Sequence, residues 1–365
     1  MRCVLTEDIR VPGGINHVQG VPGVEDPLRL SAWMANAGLD YGALRGVTLI
    51  AGGRSNLTYR LDLDGGQLVL RRQPLGHVLP TAHDMNREYR VLTALQETPV
   101  PVPRPLAICH DADVIGSPFY LMQYVDGLVL RTPADGAILT AETAGELSEQ
   151  LVQTMAKIHG VQIDEVGLTG FGRPEGYIAR QLARWQRQWE LSVTSERPGY
   201  DELVVRLAEG LPESSEGTLV HGDFRLDNTL VNLGHPARIA AVVDWEMSTL
   251  GDPLADLGLT LSYWADTEDD KGFLDINVSA GITALPGFYS RKQFADRYAE
   301  LTGRDVSGVG YYIAFGYFKL AVILEGIYAR FLQGKTVGEG FEREGPAVPV
   351  LIARAHQMLD VTGQD

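Results

Sequence analysis

The sequence predicts an α+β fold, in which a small mixed β-sheet plus helix unit precedes a mainly helical region. Apolar residues alternate with period two in the first third of the chain, between glycine-led turns. Beyond Asp126 most segments instead show helical spacing. The chain has 365 residues, of which 45% are hydrophobic and 21% charged, as in ordinary globular proteins. This length fits two or three compact units, or two lobes of one protein.

The first unit is predicted at residues 27–125. Residues 1–26 are rich in Gly and Pro and are interpreted as an N-terminal arm that packs loosely or not at all. A helix is expected at 28–37, with Asp26 as its N-cap and Pro27 at its first position. The remaining elements predicted for this unit are strands at 47–51, 57–63, 67–73, 106–109 and 119–125 and a helix at 83–97.

The second unit, residues 126–365, is expected to be mainly helical. The most apolar stretch, residues 311–324, is interrupted by Lys319 and is shorter than the roughly 20 residues of a membrane span, so we interpret it as part of a buried core helix. The predicted elements are helices at 141–159, 174–191, 253–264, 291–301 and 311–333 and short strands at 218–220, 229–232 and 240–243.

Composition restricts the classes of partner. The formal net charge is −16, from 31 basic and 47 acidic residues, so the average surface repels nucleic acids and anionic lipids. Cys3 and Cys109 are the only cysteines, too few for a disulfide framework or a cysteine-based zinc site. The first residues lack the apolar core of a secretory signal. We therefore expect a cytoplasmic protein that binds neither nucleic acid nor membranes, and its oligomeric state stays open.

The strongest chemical signal is the run from His221 to Asn228, His-Gly-Asp-Phe-Arg-Leu-Asp-Asn, followed 16 residues later by Asp244. Asp223 and Asn228 have the spacing of a kinase catalytic loop, in which the Asp receives the substrate hydroxyl and the Asn ligates Mg²⁺. Each residue alone is also a common turn residue. Their combination predicts three catalytic residues, Asp223, Asn228 and Asp244, of which Asn228 and Asp244 hold Mg²⁺.

Residues 219–258 resemble the aminoglycoside phosphotransferase and choline kinase group, relatives of the protein kinases. The chain is most similar to the kinase-like module that precedes some acyl-CoA dehydrogenases, over about residues 30–335. The run of residues 252–258 also meets the family pattern, where the resemblance implies a helix start that braces the metal loop. The resemblance implies a protein-kinase-like two-lobed fold that moves the γ-phosphate of ATP or GTP to a hydroxyl of a small molecule.

The nucleotide-binding residues follow from the same resemblance. The turn at residues 52–56 resembles the turn that covers the phosphates, which implies contacts from Gly53, Ser55 and Asn56, although an ordinary hairpin remains the alternative. Arg71 stands where the kinase lysine belongs, and Glu88 is its expected ion-pair partner. A solvated strand Arg and an exposed helical Glu are the alternatives. The hinge for the adenine ring is assigned to Met122, Gln123, Tyr124 and Val125.

The acceptor is less defined by the sequence. Arg180, Arg184 and Arg187 share a predicted helix face, which favours an anionic substrate, such as a phosphorylated or coenzyme A-linked hydroxy compound, over a polycationic aminoglycoside. A solvated face with local ion pairs is the alternative.

The sequence is compatible with three functions: a small-molecule kinase, an aminoglycoside-modifying resistance kinase and a non-catalytic nucleotide-binding module. The retained catalytic set favours the first. Asp252 comes only eight positions after Asp244, too short a run for the activation segment of a protein kinase. Whether Glu246 contacts the metal stays undecided.

Overall fold

The computed structural model describes residues 18–50, 56–75, 84–213, 217–276, 281–336 and 340–362. These residues form two compact units. The first contains the described residues up to Asp126 together with Ala240–Glu246, and the second contains Gly127–Ile239 and the described residues from Met247 onward.

The first unit is built on a five-stranded sheet in the order β1-β2-β3-β5-β4. All four pairings are antiparallel, so the sheet is not of mixed direction. Along β2 the period-two pattern buries Tyr59, Leu61 and Leu63, which form one wall of the core. The elements are α1 (Pro27–Asn36), β1 (Leu44–Leu49), β2 (Leu57–Leu63), β3 (Gly66–Arg72), α2 (Met85–Leu95), β4 (Pro105–Cys109), α3 (Ala112–Ile115) and β5 (Phe119–Gln123).

The segment before α1 is packed where the structure describes it. Val24 is fully buried in the core beside Tyr59. Tyr59 Oη donates to Pro22 O over 2.5 Å, and Arg72 Nη1 donates to Gly23 O over 2.5 Å. The expectation of a loosely packed arm is therefore wrong for residues 22–24, because buried side chains of the sheet use the arm's carbonyl groups as hydrogen-bond acceptors.

The second unit is mainly helical and carries two small β-ladders, β6 with β9 and β7 with β8. The last residues of β8 belong to the first unit. Helices α6, α8 and α11 and strand β9 were not predicted from the sequence. The elements are α4 (Ala141–His159), α5 (Tyr177–Ser192), α6 (Tyr200–Glu209), β6 (Thr218–Val220), β7 (Thr229–Asn232), β8 (Arg238–Val242), β9 (Thr249–Gly251), α7 (Pro253–Tyr263), α8 (Lys271–Ile276), α9 (Arg291–Thr302), α10 (Val309–Leu332) and α11 (Glu344–Thr362).

Helix α10 is the centre of the second unit and packs against α5, α7 and α11. It is long and apolar enough to cross a membrane, but 78% of its most apolar window is buried inside the protein. The contact with α7 is close because both helices present glycine there. A Cβ at Gly258 would lie 2.4 Å from the Tyr312 backbone, and one at Gly316 would lie 2.7 Å from Ser262 Oγ. This places α10 directly behind the loop that follows β6.

Candidate active site

The loop after β6 holds two of the predicted catalytic residues in direct contact. Asn228 Nδ2 donates to Asp223 O over 2.8 Å and to Asp223 Oδ2 over 2.9 Å. The fully buried side chains of His221 and Phe224 anchor the loop, whereas the Asp223 side chain keeps 25% of its surface exposed. The Asn228 amide oxygen accepts no hydrogen bond from the residues that the structure describes. The loop therefore fixes one orientation of the Asp223 carboxylate and leaves an oxygen suited to a hard cation.

Asp256 of α7 braces this loop from within the second unit. Its carboxylate accepts hydrogen bonds from the backbone N–H groups of His221 and Gly222, both over 2.8 Å. His159 Nε2 lies 3.2 Å from the same carboxylate, and its Nδ1 lies 2.7 Å from Tyr298 Oη. Burial opposes ionisation of Asp256, but its contacts with His159 and His221 outweigh burial and lower its pKa. An ionised Asp256 thus holds the backbone just before Asp223.

Gly222 occupies a position that admits no side chain. Its φ is +81°, in the left-handed region that favours glycine, and an added Cβ would lie 2.6 Å from Met247 O. Its carbonyl oxygen accepts a hydrogen bond of 3.0 Å from Lys319 Nζ of α10. The backbone before Asp223 is consequently fixed on three sides.

Arg225 lies among the acids of the same loop. Its Nε is 3.0 Å from Asp227 Oδ1 and 3.5 Å from Asp223 Oδ2, and its guanidinium lies 4.7 Å above the ring centroid of Tyr263. Burial raises the pKa of Asp227, with Arg225 opposing. Burial also raises the pKa of Tyr263 well above its ordinary value, with the Asp223 charge adding to the effect. Sequence reasoning did not single out Arg225, although it lies inside the motif.

The first unit contains a second charged cluster around Arg71 of β3. Arg71 Nε donates to Glu88 Oε2 over 2.8 Å, and Arg71 Nη2 forms an ion pair with Asp244. Arg71 and Glu88 are both buried, so the interpretations as a solvated Arg and an exposed Glu are wrong. Burial raises the pKa of Glu88 to about 7, and the Arg71 charge opposes this shift. The predicted ion pair is therefore present.

Asp244 has an unusual backbone conformation for its residue type. Its φ is +66°, which makes it the one non-glycine residue with positive φ in the described part of the chain. Such a conformation costs energy and is concentrated at functional sites. Trp245 N donates to Glu88 Oε1 over 3.2 Å, and Asn56 Nδ2 donates to Glu246 Oε2 over 3.0 Å. The two residues that follow Asp244 are therefore tied to α2 and to the residue directly before β2.

Comparison with known proteins identifies the family. The model of the phosphotransferase enzyme family matches residues 46–290. This chain belongs to the phosphotransferase enzyme family. The chain is 31% identical to a candidate aminoglycoside phosphotransferase from Ralstonia eutropha JMP134, whose crystal structure superposes with a TM-score of 0.79 over 92% of this chain and 98% of the other.

Two further groups resemble this phosphotransferase family member. Mouse acyl-CoA dehydrogenase family member 10 is 37% identical over 80% of this chain, and chicken family member 11 is 37% identical over 79%. The chain spans only 27% and 37% of those proteins. The GDP complex of aminoglycoside 2'-phosphotransferase-IIIa is 16% identical with a TM-score of 0.59, covering 91% of this chain and 98% of the other. The fold is therefore the protein-kinase-like α+β fold predicted from the sequence.

The structure of this family member places the other predicted residues as follows. Gly53 and Ser55 lie outside the described residues, whereas Asn56 is described and buried. Met122 and Gln123 end β5, the first buried and the second exposed, and the half-buried Tyr124 and Val125 follow directly. Their predicted roles toward a nucleotide stay predictions.

The three arginines of α5 are exposed but differ in their contacts. Arg180 donates to the backbone oxygens of Arg173 and Glu175, so its guanidinium is occupied within the unit. The guanidinium of Arg184 lies 5.3 Å from the ring centroid of Trp185. The predicted role of Arg180, Arg184 and Arg187 toward a substrate stays a prediction.

The side-chain oxygens of Asn228 and Asp244 are the type of ligand that the predicted Mg²⁺ prefers. Among the described residues, no group of three or more His, Cys, Asp or Glu side chains is arranged to hold a metal ion. Mg²⁺ commonly takes only one or two protein carboxylates and completes its shell with phosphate and water. The amide oxygen of Asn228 and the carboxylate of Asp244 are oxygen donors of this kind.

Proposed function

We propose that this protein is a Mg²⁺-dependent kinase that transfers the γ-phosphoryl group of ATP or GTP to a hydroxyl of a small molecule. The observation that carries the proposal is the double hydrogen bond from Asn228 to Asp223, which orients a partly exposed carboxylate on a braced loop. Related folds support a nucleotide co-substrate, because structures of aminoglycoside phosphotransferases contain GDP or AMP-PNP.

In this mechanism Asp223 orients the acceptor hydroxyl and receives its proton. The oxygen of the acceptor forms a bond to the γ-phosphorus while the bond to the leaving nucleoside diphosphate breaks. A largely dissociative transition state demands orientation more than a strong base, so Asp223 needs no raised pKa. Asn228 keeps the carboxylate in place, and Asp256 keeps the loop backbone in place.

The charge of the nucleotide requires cations. Arg71, held by Glu88, is the proposed phosphate contact, since a guanidinium binds phosphate oxygens in a bidentate manner. Mg²⁺, with Asn228 and Asp244 as its protein ligands, would neutralise charge on the transferred phosphoryl group when bound. In this structure one oxygen of the Asp244 carboxylate, Oδ1, is paired with Arg71.

We infer that the acceptor is anionic. Arg184 and Arg187 make one face of α5 basic, which would attract an anion and repel a polycationic aminoglycoside. Coenzyme A-linked hydroxy compounds belong among the acceptors to be tested, because the relatives are named as acyl-CoA dehydrogenase family members. Aminoglycosides belong there too, because an aminoglycoside phosphotransferase of the same fold is known with hygromycin B bound.

The proposal is tested by nucleotide consumption with hydroxylated acceptors, with and without Mg²⁺. Asp223→Ala should keep nucleotide affinity and lose transfer by roughly 100-fold or more, since it removes an oriented proton acceptor. Asp244→Ala should lose both activity and the response to Mg²⁺. Asp201→Ala, which removes an exposed acid from the start of α6, is the matched control and should behave as wild type. Near-normal transfer by Asp223→Ala or Asp244→Ala would refute the assignment.

A further inference from the structure

Lys319 is a cation in the middle of α10, a helix that is mainly apolar. Its neighbours Phe315, Phe318 and Leu320 on α10 are all buried. Burial lowers the pKa of Lys319, the charges of Asp223 and Asp256 oppose this shift, and the charge of Arg184 adds to it. Helix packing gives no reason for a Lys here, because an apolar side chain of similar length would avoid the desolvation cost.

The ammonium group has hydrogen-bonding capacity to spare. An ammonium carries three N–H donors. Among the described residues, its one hydrogen-bond acceptor is Gly222 O, at 3.0 Å. Its Nζ also lies 5.6 Å from the ring centroid of Trp185. Two donors are therefore available to a ligand.

A cavity of about 30 Å³ lies beside this ammonium, within the second unit. It has room for a polar group of a few atoms, not for a whole acceptor. Asp256, its one acidic lining residue, has its carboxylate engaged by the loop backbone and His159. The remaining lining is mainly apolar and includes Tyr177, Trp185, Ala255, Leu259 and Phe315. An anion in this cavity would meet the Lys319 charge in a poorly solvated setting, where an ion pair is strong.

The cavity is next to the catalytic loop. Gly222, whose carbonyl contacts Lys319, directly precedes Asp223, and consecutive Cα atoms are about 3.8 Å apart. The charge of the Asp223 carboxylate acts on the Lys319 ammonium, so a ligand with a hydroxyl at Asp223 could reach Lys319 through a few bonds. One ammonium beside an ionised Asp256 suits a singly charged group better than a phosphate dianion.

We propose that this cavity is a subsite for a carboxylate of the acceptor, bound by Lys319, so that the preferred acceptors are small hydroxy acids with an apolar segment. The inference rests on the proposed kinase function and narrows its acceptor class.

The test compares acceptors that differ only at the anionic end. Each short-chain hydroxy acid is paired with the diol in which CH₂OH replaces the carboxylate, and a phosphorylated alcohol forms a third arm. Nucleotide consumption is measured for the wild type, Lys319→Gln, Lys319→Met and Lys319→Arg. Arg330→Met, which removes an exposed cation from the same helix, is the control. Gln keeps a donor for Gly222 O without the charge, and Met removes both.

The wild type should prefer a hydroxy acid to its diol. Lys319→Gln and Lys319→Met should both raise KM for the acid by about tenfold or more, because a buried charge loses its partner, with little change for the diol. Lys319→Arg should keep part of the preference. Arg330→Met should match the wild type.

Several results would overturn the proposal. Equal use of acid and diol by the wild type would do so, as would preference for the phosphorylated alcohol. An equal loss of kcat by Lys319→Met on every acceptor and on background hydrolysis, with Lys319→Gln normal, would show that Lys319 only positions the loop. If the wild type shows no nucleotide consumption that depends on Asp223, the proposed function itself fails, and this inference fails with it.

Discussion

Gly222→Ala separates the geometry of the proposed catalytic loop from general stability. Placing a non-glycine residue at φ +81° costs about 1–2 kcal/mol. The new Cβ would also lie 2.6 Å from Met247 O, a backbone atom that cannot rotate away. Relieving such overpacking costs about 1–3 kcal/mol more. We therefore expect the free energy of unfolding to fall by about 2–5 kcal/mol in total.

The same change should reduce catalysis, because Gly222 directly precedes Asp223. A displacement of about 1 Å at a reacting group costs roughly 100-fold in rate. The assay measures urea unfolding and nucleotide consumption on the same preparation, below the unfolding transition. Gly303→Ala is the matched control, since Gly303 has φ +70° and nothing within 4 Å of an added Cβ. It should lose only about 1–2 kcal/mol and keep full activity.

Equal losses of stability in the two variants, with both still active, would contradict the constraint on Gly222. Wild-type phosphate transfer by a destabilised Gly222→Ala would contradict it as well, because the loop would then tolerate the displacement.

Three further changes test other parts of the structure. Asp256→Asn should destabilise the protein by about 1–3 kcal/mol at neutral pH. Because the folded pKa of Asp256 is lowered, its contribution is present above about pH 4 and lost as the pH falls further, so urea unfolding at several pH values should show the variant and wild type converging in acid. Arg197→Met should cost about 3 kcal/mol in urea unfolding, since it leaves the fully buried Glu325 without its cation, and an unchanged KM would confirm a structural role. Val24→Ala should cost roughly 2 kcal/mol, measured in the same way, and no loss would contradict the packed position of Val24.

The sequence predicted the elements whose signals are local. Strand β2 and helix α4 have the predicted bounds, because alternation is unbroken in the first and Thr140 caps the second. Helix α6 was missed because it begins after Gly199 with no side-chain cap. Helix α11 contains Pro349 and depends on packing against α10. Strand β9 has three residues and exists through its pairing with β6, which no local pattern indicates.

The residues of the site also differ in whether a local pattern predicts them. Asp223 and Asn228 are five residues apart, so motif spacing was enough to predict that they lie together. Lys319 is 97 residues from Gly222 and lies in an apolar stretch. From the sequence it was interpreted only as a residue that interrupts this stretch. Lys319 meets its partners because α10 packs behind the loop, and no local sequence pattern predicts this packing. A lone Lys inside a core helix is the signal that could have found it.

The central position of α10 also sets the smallest fragment that is useful for experiments. The family match ends at residue 290, before α9, α10 and α11. A protein cut there would expose the apolar sides of α5 and α7 to solvent, and we expect it to aggregate on expression. Chimeras that transplant this protein next to another domain should therefore join it no earlier than residue 362, the end of α11.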